Sequence, residues 1–159
     1  MKRFAIIAVL GAVALAVTLS VGAWGKGQGK GPQKARGHSL TVIEHATTDA
    51  TTDTGAAGDS AGDVLTFANE VFDAKDSTKV GTDNGYCIRT VAGAAYECNW
   101  TTLLPKGQIT VEGPFYDDGN SVLAITGGTG IYRDAGGEME LKYHNPAGTE
   151  FDFIFHGTR

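Results

Sequence analysis

The chain has 159 residues, of which 23 are glycine, 42% are hydrophobic and 19% are charged. This composition is typical of a small, turn-rich all-β protein, and the length fits a single domain. Lysine and arginine dominate the first 36 residues whereas the rest is acidic, giving a net charge of −5, so we expect no nucleic-acid partner for the folded part.

The N-terminus has the pattern of a secretory signal. Lys2 and Arg3 precede an apolar run over residues 4–17, and Ala23 ends a small-residue cleavage motif, so the pattern predicts a signal peptide over residues 1–23 and a secreted protein. An uncleaved anchor is the alternative, although the run is shorter than the roughly 20 residues of a membrane span. After cleavage we expect no stable membrane insertion. Residues 24–38 predict a flexible, basic Gly/Lys-rich arm before a single domain over residues 39–159.

Period-2 alternation predicts eight strands and no amphipathic helix. In chain order the predicted strands cover residues 40–46, 63–72, 85–91, 95–104, 107–112, 121–126, 137–143 and 149–156. Pro114 is expected to end the fifth strand, because proline cannot donate to a ladder. The polar stretch 47–61 predicts a long loop, which is either a lid or a mobile segment. Short connections favour antiparallel pairing, in either a barrel or a sandwich.

The glycine cluster at residues 127–130 does not have the context of a nucleotide site. Lys-Ser/Thr, which a phosphate loop requires, is absent after the last glycine, and no helix opens there as a dinucleotide fold requires. We interpret the cluster as a tight strand-to-strand connection with close backbone packing, and we expect no cofactor.

The two cysteines are predicted to face each other. A hairpin turning at Ala92-Gly93 places Cys87 opposite Cys98, close to disulfide reach, and export favours a bridge. The four histidines have no metal-ligand spacing, and no serine lies in a nucleophile elbow, so we expect neither a metal site nor a serine triad.

Three segments carry a family resemblance: Gly-Pro-Phe at residues 113–115, LAITGGTGIYRDAGGEMEL at 123–141 and GDVLTFANEVFD at 62–73. They resemble the barrel shared by allene oxide cyclases and dirigent proteins. The resemblance implies an eight-stranded antiparallel β-barrel, which has an interior just wide enough for side chains or one small ligand.

The resemblance also implies candidate site residues. Glu44 matches the family's first-strand glutamate and Asn69 the asparagine of an FTN-like segment, so these two are the candidate catalytic residues. Ala46 stands where another asparagine would be and Phe115 where a tyrosine would be, so we do not expect allene oxide cyclisation itself. Four residues are expected to line the cavity: Phe67, Cys87, Arg89 and Phe115.

Two of these residues have competing interpretations. The family carries a cavity-lining cysteine in a context similar to Gly85-Tyr86-Cys87, which would make Cys87 a free thiol rather than half of a disulfide. Glu44, if buried, has a raised pKa and serves as a general acid or base. Alternatively, it is a rim carboxylate paired with Arg89 or a lysine.

Three functions follow as hypotheses. The first is a secreted cyclase or dirigent-type stereochemical guide acting on a small apolar molecule. The second is a non-catalytic, lipocalin-like binding barrel, and the third is a structural barrel filled by its own phenylalanines. The resemblance also predicts a homo-oligomer, a trimer before a dimer.

Overall fold

The computed structural model describes residues 38–158, and these residues form a closed antiparallel β-barrel of eight strands with almost no helix. A ninth, very short strand and one turn of 3₁₀ helix, Gly130–Tyr132, complete the secondary structure. In chain order the strands are β1 His38–His45, β2 Ala50–Thr52, β3 Val64–Asp73, β4 Lys79–Val91, β5 Ala95–Leu104, β6 Gly107–Tyr116, β7 Ser121–Gly128, β8 Gly137–Tyr143 and β9 Glu150–Thr158.

Pairing of the first strand with both ends of the sheet closes the barrel. From β3 to β9 each strand pairs with the next, and β1 pairs with β9 on one side and with β3 on the other. Strand β2 lies beside the other half of β3, where Thr51 faces Leu65. Closure satisfies the backbone groups that two open edges would expose. The predicted eight-stranded barrel is therefore confirmed.

The core follows the period-2 pattern that predicted the strands. On β9, Phe151, Phe153 and Phe155 all point inward, and each is at most 8% exposed. Ile154 between them is half-buried on the outer face. The inner face of the last strand is thus aromatic from Phe151 to Phe155.

Two strand boundaries differ from the prediction by more than two residues, and one short strand was not predicted. Strand β4 begins at Lys79 rather than near residue 85, because pairing with β3 and β5 holds its polar, glycine-containing first half in the sheet. Strand β6 continues through Pro114, where pairing with β7 has already ended and no donor is required on that side. The loop predicted over residues 47–61 contains β2.

The rest of that loop is held by a buried carboxylate. Asp63 accepts hydrogen bonds from the backbone N–H groups of Thr54 (3.0 Å) and Ser60 (2.8 Å). The Thr54 hydroxyl donates to the Gly62 carbonyl. Residues 53–62 therefore form an ordered turn on the barrel end rather than an unattached segment.

The glycine cluster packs backbone against backbone, as interpreted. A Cβ atom at Gly128 would lie 2.3 Å from the Tyr132 carbonyl oxygen, and one at Gly130 would lie 2.1 Å from that of Lys106. Gly130 also has a φ of +61°, which other residues rarely adopt.

The predicted signal peptide and the arm that precedes His38 lie outside the described residues. Within residues 38–158, no helix has the length and apolar character needed to span a membrane.

Candidate functional site

One part of the barrel interior is a cavity of about 370 Å³. The side chains that line it are mostly apolar or aromatic: Leu65, Phe67, Trp100, Phe115, Leu141, Tyr143, Phe151 and Phe153. The predicted cavity residues Phe67, Cys87 and Phe115 are all in the lining. A volume of this size suits one small organic molecule.

A cluster of three aromatic rings forms part of this wall. The ring centroids of Tyr143 and Phe151 lie 5.1 Å apart, those of Phe115 and Phe151 5.8 Å apart, and those of Phe115 and Tyr143 6.4 Å apart. The Tyr143 hydroxyl donates to the Asp117 carbonyl at 3.1 Å, which fixes the ring against the β6–β7 turn. These rings are preorganised for contact with a flat or ring-bearing ligand.

Both cysteines also line the cavity, and they are bridged. Cys87 on β4 pairs directly with Cys98 on β5, and the two form a disulfide. The structure therefore rules out the alternative of a free cavity thiol at Cys87, and the predicted disulfide is confirmed.

The polar end of the cavity is organised by Asn69. Its side-chain amide donates to Glu44 Oε1 at 2.7 Å and to Asp49 Oδ1 at 2.8 Å. Its carbonyl oxygen accepts from the backbone N–H groups of Thr47 and Thr48 and from the Thr48 hydroxyl. Both ends of this fully buried amide are thus engaged, and Asn69 fixes Glu44 while it supports the chain between β1 and β2.

Asp83 on β4 is a second buried carboxyl group at this end, after Glu44, and no sequence pattern predicted it. It pairs in register with Asn69 on β3 and with Thr102 on β5, and it is completely buried. Within residues 38–158, neither of its carboxylate oxygens receives a hydrogen bond from an N–H or hydroxyl group. Burial, followed by the nearby charge of Glu44, raises the pKa of Asp83 to about 10.

Glu44 is the group that changes protonation near neutral pH. It is 6% exposed and lies in the cavity lining. Burial raises its pKa to about 7, against the opposing effect of hydrogen bonds from Asn69 and Asp83. Because Asp83 remains protonated, its acid proton is available to hydrogen-bond the Glu44 carboxylate. This buried position replaces the alternative of a rim carboxylate paired with Arg89.

Arg89 requires a correction, because it does not line this cavity. Its Nε donates to Asp59 at 2.7 Å, its Nη1 donates to both carboxylate oxygens of Asp117, and its guanidinium lies 3.7 Å from the ring centroid of Tyr96. It lines a separate, open pocket of about 500 Å³. Although Arg89 shares the inner face of β4 with Cys87, the turn formed by residues 53–62 and the β6–β7 turn supply aspartates that hold it at the barrel end.

One set of side chains on the outer surface has metal-ligand character. His45, Asp76 and Glu150 offer ligand atoms that all lie within 4.8 Å of one another, and His45 Nε2 is 2.7 Å from Asp76 Oδ1. Nitrogen and carboxylate donors of this kind suit zinc and similar ions. The residues are far apart in sequence, so spacing could not have identified them. His45 adjoins Glu44 in β1 and so faces away from the cavity.

Comparisons with known proteins agree with the barrel. The family model described as "Allene oxide cyclase barrel like domain" matches residues 42–154. A pyocyanin demethylase is 24% identical with a TM-score of 0.64, covering 74% of this chain and 99% of its own. The pterocarpan synthase dirigent protein PsPTS1 is 18% identical with a TM-score of 0.60, over 78% and 97%. AbnU, an exo-specific intermolecular Diels-Alderase, is 16% identical with a TM-score of 0.56, over 75% and 97%. At these identities the three structures establish a shared fold.

Proposed function

The chain belongs to the family of allene oxide cyclase barrel-like domains, and we propose that it is a secreted protein that binds a small, largely apolar molecule and guides its cyclisation or coupling. The observation that carries the proposal is a cavity of about 370 Å³ with an aromatic wall and, at its polar end, the carboxyl group of Glu44, whose pKa is raised to about 7. The Cys87–Cys98 bridge supports an extracellular site of action, because disulfides persist in oxidising compartments.

Burial of apolar surface supplies the binding energy. At the packing density of protein interiors, about 0.75, the cavity accommodates about 280 Å³ of ligand atoms. Each Å² of apolar ligand surface removed from water contributes about 25 cal/mol before the cost of immobilising the ligand. Fixed aromatic rings at Phe115, Tyr143 and Phe151 favour one orientation of a bound ring system, which is what stereochemical guidance requires.

Glu44 supplies the proton chemistry. A group with a pKa near 7 is present in both forms at neutral pH, the condition under which general acid–base catalysis is most effective. Asn69 fixes the direction of the carboxyl group, and the proton on Asp83 stabilises its ionised form. In the proposed step the Glu44 carboxylate accepts a proton from the ligand and returns it after the ring or coupling bond has formed.

Three structurally similar barrels have names that describe conversions of small organic molecules. Similarity at that level supports the proposal only through the fold, because a common barrel serves many chemistries.

A second candidate is a carrier barrel without catalysis, and the hydrogen bonding of Asn69 favours it. Both ends of that amide are engaged within the protein, so it has no group left to hold a reactive water. Ala46, where the resembled cyclases carry an asparagine, offers no side-chain hydrogen bond either. Ligand binding without chemistry would then be the whole function.

The experiment compares small molecules bound to the wild type with those bound to a variant whose cavity is filled. Purified protein is incubated with extract of the culture medium and examined by native mass spectrometry. Leu65→Trp places a large ring in the cavity, whereas Val122→Trp adds the same ring on the outer surface, where Val122 is 52% exposed. We expect a bound mass on the wild type and on Val122→Trp that Leu65→Trp lacks. Equal masses on all three proteins would contradict binding in the cavity.

Glu44→Gln then separates the two candidates. If the protein is catalytic, the wild type releases a product of altered structure and the variant retains the unaltered compound. If wild type and variant both return the compound unchanged, the protein is a carrier.

A further inference from the structure

The charged groups that line the cavity are all acidic. Glu44, Asp49 and Asp117 are in its lining, and no lysine, arginine or histidine is among the described lining residues. Arg89 pairs with Asp117, whereas Glu44 and Asp49 have no basic partner within residues 38–158. Glu44 and Asp49 therefore give the cavity a negative charge that no basic side chain in its lining offsets.

Two of these carboxyl groups are held close together. The single amide nitrogen of Asn69 donates to both Glu44 Oε1 and Asp49 Oδ1, so the two oxygens lie on either side of one donor. Glu44 is nearly completely buried, whereas Asp49 is exposed at the cavity rim. Repulsion between two carboxylates at such a short separation decreases when a positive charge binds beside them in the cavity.

The aromatic wall also favours positive charge. The faces of Phe115, Tyr143 and Phe151 carry the negative part of their ring quadrupoles, and the centroids of these rings lie 5.1 to 6.4 Å from one another. Clustered aromatic faces bind organic cations by cation–π attraction, which strengthens as water is excluded. The carboxylates and the aromatic rings thus both favour a positively charged ligand.

We propose that the ligand is an organic cation: an ammonium or an N-heteroaromatic cation carried on a compact apolar body. The inference rests on the proposed function, because it names the class of molecule that the same cavity takes. An anionic ligand, such as a fatty acid or another organic carboxylate, would face the carboxyl groups of Glu44 and Asp49 with no basic side chain in the cavity lining. A neutral ligand of the same shape would gain the apolar contacts but not the electrostatic ones.

Three probes of similar shape and different charge test the proposal. N-methylacridinium is a cation, acridine is neutral at about pH 8, and anthracene-9-carboxylate is an anion. Each is fluorescent, so its binding to the full-length protein is measured by titration in low salt. We expect the cation to bind at least about tenfold more tightly than the anion, with acridine between them.

Asp49→Asn locates the effect in the cavity. Asparagine keeps an oxygen that can accept from Asn69, so the variant removes charge while it preserves the local hydrogen bond. We expect N-methylacridinium to bind about threefold to tenfold more weakly, while acridine changes by less than about twofold. Asp118→Asn is the matched control, since Asp118 is exposed and lies outside the cavity lining, and it should leave all three affinities unchanged.

The outcomes separate this inference from the proposed function. If all three probes bind with similar affinity, or the anion binds best, the cavity binds small molecules without selecting cations. This inference is then overturned, while the proposed function stands. The same follows if Asp49→Asn and Asp118→Asn weaken the cation equally. If none of the probes binds the wild type, this inference is overturned, and native mass spectrometry with Leu65→Trp decides the proposed function separately.

Discussion

Replacing Asp83 with asparagine tests whether a neutral carboxyl group is buried beneath the cavity. In the folded protein the pKa of Asp83 is raised by burial to about 10, whereas in the unfolded chain it ionises near its ordinary value of 3.8. Between these values the folded state holds a proton that the unfolded state has released. This contribution to stability is therefore fully present below about pH 4 and is lost as the pH rises toward 10.

The magnitude follows from proton linkage. A difference of one bound proton changes the free energy of unfolding by about 1.4 kcal/mol per pH unit. From about pH 7 to pH 9 the wild type should therefore lose about 3 kcal/mol, which is a large share of the 5–15 kcal/mol typical of a domain. Glu44, with a pKa of about 7, adds a separate decline below that range. Asp83→Asn removes the ionisable group, so its stability should be nearly constant from pH 7 to pH 9.

Urea denaturation followed by the fluorescence of the buried Trp100 measures these free energies at about pH 7, 8 and 9. Glu97→Gln is the control, because Glu97 is an exposed carboxylate on β5, and this variant should keep the wild-type slope. Parallel curves for the wild type and Asp83→Asn across this range would refute a protonated Asp83 in the folded protein.

Four further predictions concern other parts of the chain. Replacing Cys87 and Cys98 with alanine should lower the free energy of unfolding by about 3 kcal/mol, as loop-closure entropy gives for so short a loop, and denaturation with and without reductant checks this. Arg89→Lys should speed limited proteolysis within residues 53–62 several-fold, because lysine has no planar fork to hold two aspartates; unchanged cleavage would contradict the role of that fork. N-terminal sequencing of the exported protein should begin near Trp24, and recovery of Met1 would show an uncleaved segment. Light scattering at micromolar concentration should give the mass of a trimer, whereas a monomer mass would reject assembly.

The strand pattern was predictable because it depends on local alternation. Strand β9 shows how far this goes: three phenylalanines at every second position define an inner face, and the structure buries all three. The hairpin at Ala92-Gly93 likewise sets the pairing of Cys87 with Cys98, since a short turn leaves little freedom of register. These predictions depend only on residues that are close in sequence or are joined by a single turn.

The burial of Asp83 was not predictable in this way. It lies between Thr82 and Asn84, in a run of small and polar residues that carries no period-2 hydrophobic signal. Only pairing with β3 on one side and β5 on the other brings this run into the sheet and turns Asp83 inward. The prediction that Arg89 lines the cavity failed for a different reason. Its side chain lies on the inner face of β4, but aspartates from two distant turns determine where the guanidinium lies.

Barrel closure assembles the polar end of the site, and an open sandwich would not. Glu44 belongs to the first strand, and it reaches Asn69 because β1 pairs with β3 and places Glu44 directly opposite Val71, two residues along. Asn69 also accepts hydrogen bonds from the chain between β1 and β2, at the point where the strand paired with β3 changes from β1 to β2. Loss of the Asn69 amide would weaken the closure of the barrel and would also release Glu44. The conservative Asn69→Asp change would add a buried carboxylate in place of a donor. The geometry of the candidate acid–base group and the integrity of the barrel therefore depend on one side chain, so any functional effect of changing Asn69 must be interpreted beside a measurement of stability.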